Sequence, residues 1–268
     1  MRLLCPIDFS SCSLNAVKWV LDYYNGSPDV EVEILHCVDE RGAVKLYQAQ
    51  VEFDKKQAVT NMQDLLQKLH EDYPQYKLTT SIMLANPKTY VLNRAVEFNA
   101  DFIVMGSTGL NSLKDITIGS VTEYIVDRTD VPVLCIPDNV SFSSMDKIAV
   151  GVDDLEIKQP KVMEQLSKFI EPYNPRLYLC QVKNRVKNDD IVFDLRIEDF
   201  IPADNVEAVV LPKDITVSNT INAFALDNDI DMVCFIHRKR TWIKDLFHHS
   251  NLKDGLYDLE YPFLIISD

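Results

Sequence analysis

Three of the chain's seven glycines crowd into fourteen residues: Gly106-Ser107-Thr108-Gly109, nine residues, then Gly119-Ser120. A glycine-poor chain places its glycines where the main chain turns tightly or lets another group come close. The cluster follows the apolar run Phe102-Ile103-Val104-Met105 and precedes Ser120-Val121-Thr122-Glu123. The run reads as a short buried strand, and the Ser-x-x-Glu as a capping box that opens a helix. A strand, a glycine-rich loop and a helix start together offer backbone N–H groups to an anion, phosphate above all.

The rest of the first half alternates in the same way. A strand over 2–8 leads to a helix over 12–24, capped by Ser10 or Ser11. A strand over 30–38 and a long helix over 51–72 follow, then a strand over 77–84. Asn86-Pro87 marks a helix start, with Asn as cap and Pro in the first turn; that helix ends near Asn99. The strand over 102–105, a helix over 120–128 and a strand over 131–136 close the half. Strands alternating with helices imply right-handed crossovers and a mainly parallel α/β sheet.

The pattern then recurs. RLLCPID (2–8) matches KIAVGVD (147–153) at an offset of 145, pairing Asp8 with Asp153. VPVLCIPD (131–138) matches YPFLIISD (261–268) at an offset of 130. Two tandem domains are expected, 1–140 and 145–268, joined by the polar linker DNVSFSSMD (138–146). In the second, strands are read over 147–152, 176–182, 206–211, 231–236 and 262–266, and helices over 157–171, 216–227 and 250–258. A polar stretch around 184–200 stands where the first half has its long second helix.

A net charge of −14 and a pI near 4.8 argue against a general nucleic-acid binder and against attachment to anionic membranes. No apolar run is long enough to cross a bilayer. The six cysteines include no C-x-x-C pair, which disfavours a zinc ribbon or a thioredoxin-type site. Five lie in apolar runs and read as small buried hydrophobes; Cys12, just past the first strand, is expected to be more exposed. A strand begins at once after Met1, with no signal peptide before it, so a cytoplasmic, thiol-reduced protein is expected. P-loop, GxGxxG, G-x-S-x-G and HExxH patterns are missing from the sequence.

Ile7-Asp8, Val38-Asp39, Met105-Gly106-Ser107-Thr108-Gly109 and Gly119-Ser120-Val121-Thr122 together resemble the universal stress protein family. In element order the resemblance covers the whole chain as a tandem; the sharp motif lies in the first half alone. It implies two open five-stranded sheets of order 3-2-1-4-5, the second reduced, with a cleft where the order reverses. It implies ATP, or a related adenine nucleotide, with Mg or Mn on the phosphates. Pro6, Ile7 and Val38 would line the adenine end and Asp8 would lie near adenine or ribose. Met105 and Gly106 would flank the sugar, Thr108 would lie in the same loop, and Gly109, Gly119, Ser120, Val121 and Thr122 would hold the phosphates. It also implies a pseudo-dimer inside the chain, pairing 131–136 with 262–266, and leaves room for a further homodimer.

The residues themselves allow this chemistry. A side chain at Gly106 or Gly109 would stand between main chain and ligand, Gly119 brings the chain into the helix, and Ser120 and Thr122 add hydroxyl donors. Plainer roles stand beside these: turn glycines, Ser120 as a helix cap, Asp8 as cap of the helix after it. Lys114 either meets phosphate or faces solvent. In the second half Ile236 falls at the place of Gly106, Lys239 at Gly109 and His249 at Gly119, while Ser250 matches Ser120, so that domain is not expected to bind ATP. Its basic run His237–Lys244 is a solvated loop, an anion site or a docking surface. The adjacent His248 and His249 have no third metal ligand at a recognisable spacing. No general base stands out near the glycine loop. The expected function is therefore nucleotide-dependent stress adaptation through conformation or partner binding. A slow ATPase or phosphotransferase and a nucleotide-free interaction module are the alternatives.

Overall fold

Short apolar runs joined by amphipathic ones fold here as parallel strands with crossover helices. The computed structural model describes residues 1–25, 27, 29–39, 48–108, 119–152, 160–184, 200–214, 217–237 and 261–267. The chain divides into two compact units, Met1–Phe142 and Ser143–Asp268. No helix among the described residues is long and apolar enough to cross a membrane.

The first unit runs β1 (Arg2–Ile7), α1 (Ser11–Tyr24), β2 (Glu31–Val38), α2 (Gln48–Asp72), β3 (Lys77–Leu84), α3 (Pro87–Glu97), β4 (Phe102–Gly106), α4 (Ser120–Val126), β5 (Val133–Ile136). Its strands are parallel, in the expected order β3-β2-β1-β4-β5. The core is strand-borne, with Leu4, Cys5, Ile34, Ile103 and Leu134 sealed from solvent. Ser10 caps α1, its side chain accepting from the Ser13 N–H. Asn86 caps α3 and Pro87 stands in its first turn, as expected. The start of α4 differs. Gly119 is its cap, in extended conformation, and Ser120 is already the first helical residue. The expected Ser120–Glu123 capping box therefore does not form, because a box needs the serine one position earlier.

Pro6 shapes the middle of this sheet. The Arg2 N–H donates to the Asp101 carboxylate at 2.7 Å, and the Arg2 carbonyl accepts from the Asp101 N–H at 2.8 Å. Arg2 thus turns its backbone groups toward β4, and by alternation so do Leu4 and Pro6. Proline has no N–H to give. The register joins β1 to β4 at Leu3–Phe102 and Leu4–Ile103 and goes no further toward their carboxyl ends.

The second unit runs β6 (Lys147–Val152), α5 (Pro160–Ile170), β7 (Arg176–Lys183), a short 3-10 turn (Ala203–Asn205), β8 (Val206–Pro212), α6 (Val217–Asp227), β9 (Met232–His237), β10 (Phe263–Ser267). Its parallel sheet has the same plan, β8-β7-β6-β9-β10. The register Ile148–Met232 repeats Leu3–Phe102, so the sequence offsets of 145 and 130 are also structural ones. Here, however, pairing continues to Gly151–Phe235, because Gly151 replaces Pro6 and restores the donor. A Cβ on Gly151 would stand 2.7 Å from Ile221 Cδ1 and 3.2 Å from Phe235 Cδ1, so side chains close over the strand at that point. The helix expected over 250–258, most of the stretch 184–200, and Asp153, Lys239, His248, His249 and Ser250 lie outside the described residues.

Candidate nucleotide cleft

The cleft lies where β1 and β4 part. β1 ends at Ile7, and Asp8-Phe9-Ser10 follow it. Phe9 takes a left-handed φ of 61°, swinging the chain from strand into α1. Asp8 braces this turn: its Oδ1 accepts from the Ser10 N–H at 3.0 Å and from the Ser10 hydroxyl at 2.5 Å. Ser13 Oγ in turn accepts from the Asp8 N–H at 3.3 Å. Asp8 is thus not the helix cap; it fixes the residue that is. His36, from the adjacent β2, packs its ring 4.6 Å from that of Phe9. The Ile7 carbonyl lies 2.9 Å from His36 Nδ1. A carbonyl only accepts, so Nδ1 carries the hydrogen.

The opposite wall is the end of β4 with the start of α4. The Ser107 N–H donates to the Ile136 carbonyl at 2.9 Å, and the Ser107 carbonyl accepts from the Gly119 N–H at 2.7 Å. The Thr122 hydroxyl donates to the Gly106 carbonyl at 3.1 Å. Two hydrogen bonds thus clasp the residues that end β4, Gly106-Ser107, to the start of α4, Gly119 and Thr122. Gly109 and Lys114 lie outside the described residues.

Two sequence expectations change at this wall. Thr122 is buried and spends its hydroxyl on Gly106, so it shapes the wall and does not supply a donor to phosphate. Gly106 has a packing reason of its own to lack a side chain. A Cβ there would stand 2.8 Å from Cys12 Sγ, 2.9 Å from the Cys12 carbonyl carbon and 2.9 Å from Ser13 N. Its bare face thus receives the first turn of α1. Cys12 is accordingly buried, not exposed as expected, with its thiol donating to the Ile136 carbonyl at 3.4 Å. At the equivalent place in the second unit stands Ile236, also buried.

The other expected residues divide into buried and more accessible ones. Ile7, Val38 and Met105 are buried, Pro6 is half-buried, and the Val38 carbonyl accepts from the Ala85 N–H at 3.0 Å. Ser120 is exposed, and Gly119, Val121 and Thr108 are half-buried. Gly119, as the cap residue, gives the first N–H groups of α4 no side-chain hydrogen bond. Donors at a helix start attract anions. Ser10, read from sequence only as a helix cap, Ser107, read only as part of the glycine motif, and Ser13, not singled out at all, complete the cleft; the run of small polar residues after Asp8 is the one signal for Ser13.

The sequence model described as the universal stress protein family matches residues 1–137. Universal stress protein MJ0577 of Methanocaldococcus jannaschii is 29% identical over 153 residues, spanning 50% of this chain and 93% of that protein. MJ0531 of the same organism is 28% identical over 138 residues, spanning 50% and 81%. The crystal structure of a universal stress protein from Archaeoglobus fulgidus superposes with a TM-score of 0.70 at 18% identity, covering 99% of this chain and 98% of that one, a likeness of fold. Matched from β1 through β5, with the strand order its motif implies, this chain belongs to the universal stress protein family.

Proposed function

We propose that the first unit binds ATP, or a closely related adenine nucleotide, in the cleft between β1 and β4. The protein then acts in stress adaptation through nucleotide-dependent conformation or partner binding. The observation that carries this reading is the opening itself: Pro6 ends the β1–β4 pairing at the point where the strand order reverses. The base would lie over Pro6, Ile7 and Val38 with Asp8 beside it, and the sugar by Met105 and Thr108. The phosphates, with a divalent cation such as Mg or Mn, would lie against Gly119, Ser120, Val121 and the loop that includes Gly109. The residues present suit an anion, since α4 starts on a glycine that gives its first N–H groups no side-chain cap.

The second unit, with pairing continued to Gly151–Phe235 and Ile236 in place of Gly106, is read as a degenerate domain that takes no nucleotide. The reading is of binding rather than turnover. Among the described residues, Asp8, Ser10 and Ser13 meet at the cleft, and their mutual hydrogen bonds serve the turn. Slow hydrolysis is the alternative, and single-turnover phosphate release separates the two. The direct test is mass spectrometry of nucleotide carried through purification, with equilibrium dialysis against MgATP. ATP found only on an isolated second unit, or on neither, would refute the proposal.

A further inference from the structure

The segment after β5, expected to be a plain linker, is fastened along one stripe of α1. Ser11, Asn15, Trp19 and Tyr23 follow at four-residue spacing and share a face. Ser11 Oγ donates to Asp138 Oδ2 at 2.9 Å. Asn15 Nδ2 donates to the carbonyls of Pro137 and Val140, both at 2.9 Å. The Phe142 ring stands edge-on to Trp19 and to Tyr23, at 5.3 and 5.4 Å between centroids. The attachment therefore runs over about 18 Å of helix, from the first turn to the last.

The root of this segment lies at the cleft. The Ile136 carbonyl, one residue before Pro137, accepts both the Ser107 N–H and the Cys12 thiol. Ser107 is in turn clasped by Gly119 at the start of α4. The phosphate wall, the first turn of α1 and the origin of the segment thus meet at one carbonyl. At the far end, Phe142 is the last residue of the first unit and Ser143 the first of the second.

We propose that residues 137–142 form a strap that reports occupancy of the cleft to the second unit. It docks on α1 when nucleotide is bound and is released when the cleft empties. The inference rests on the nucleotide reading of the same cleft. A ligand holding the first turn of α4 favours the arrangement in which Gly119, Ser107 and Ile136 keep their hydrogen bonds, and the docked strap holds Ile136 in that arrangement. The docked state relies on a few side-chain bonds and one half-buried ring, which suits a segment that opens locally. A ligand shifts such an equilibrium only by its differential affinity, and the coupling is reciprocal: an undocked strap weakens the ligand by the factor by which the ligand favours docking.

Chymotrypsin cleaves after Phe142 only when the ring leaves α1. The full chain is digested with and without millimolar MgATP, and cleavage at Phe142–Ser143 is followed by mass spectrometry against cleavage elsewhere in the chain. ATP binding is measured separately by equilibrium dialysis. ATP is expected to slow this cut at least about fivefold more than the others, and Asn15→Ala to weaken ATP about fivefold. Asp138→Ala, an exposed change with little risk to folding, should weaken it in the same direction. If ATP binds but the relative rate at Phe142 stays the same, or Asp138→Ala binds like the parent, the strap is overturned and the cleft stands. If dialysis detects no ATP, both fall.

Discussion

Gly106 lies against the first turn of α1: a Cβ built on it would stand 2.9 Å from the carbonyl carbon of Cys12. The obstacle is main chain, which cannot rotate away as a flexible side chain would. Gly106→Ala should therefore push α1 off β4 and cost about 2–3 kcal/mol, as overpacked sites do. Urea denaturation would measure it. An unchanged midpoint would mean that the helix has room to spare, against the geometry.

Gly119 makes the opposite case. Its φ of −73° and ψ of 148° are open to any residue, so the backbone does not require glycine there. Gly119→Val should fold, losing at most about 1 kcal/mol for the poorer cap. Its branched side chain would stand at the mouth of the proposed phosphate site, and copurified nucleotide should disappear from the mass spectrum. Retained nucleotide would move the ligand away from α4.

Pro6→Ala returns the missing donor to β1. Pairing with β4 should then extend toward Met105, as Gly151 allows in the second unit. Nucleotide affinity is expected to fall about tenfold, within the range of site-to-site coupling, while stability holds or rises. Isothermal titration calorimetry beside urea denaturation would show both. Undiminished affinity would mean that the cleft owes its opening to something other than proline.

The strands and helices of the first unit were legible because each apolar run is short and ends at a turn residue or a cap. Asn86-Pro87 places the start of α3 to the residue. The strand order followed from the family resemblance and is the one observed. The start of α4 was misread by one position, since Ser-x-x-Glu looks like a box whether Ser120 or Gly119 is the cap. The purpose of Gly106 was hidden for a deeper reason. Its neighbours, Cys12 and Ser13, lie more than ninety residues away in the chain, and local pattern carries no sign of them.

Glu33 was equally hidden, being one carboxylate in an alternating strand, yet it is buried on β2. Arg94 of α3 meets it with two nitrogens, Nε at 2.9 Å from Oε1 and Nη2 at 2.8 Å from Oε2, and Ser81 Oγ donates to Oε1 at 2.9 Å. Arg94→Met leaves a buried carboxylate without its counter-charge and should cost about 3 kcal/mol. Replacing both, Glu33→Leu with Arg94→Met, should recover most of the loss. A double variant as unstable as the single one would show that the pair contributes more than charge balance.

Buried thiols should make the fold less stable at alkaline pH. Burial alone pushes Cys5 and Cys234 far above the ordinary thiol value of 9.0, and Cys180 up to about 12. Cys135 is raised likewise by burial and then by the nearby Cys12. Above about pH 9 the unfolded chain releases these four protons while the folded chain keeps them, so the folded state binds more protons and stability must fall as pH rises. The contribution is whole below the unfolded thiol value. Each thiol then costs about 1.4 kcal/mol per pH unit beyond it, until its folded value is reached. Urea midpoints should accordingly drop steeply between about pH 9 and 10, and Cys180→Val should make the slope shallower by one thiol's share. A flat profile over that interval would mean that these sulfurs reach water in the folded protein.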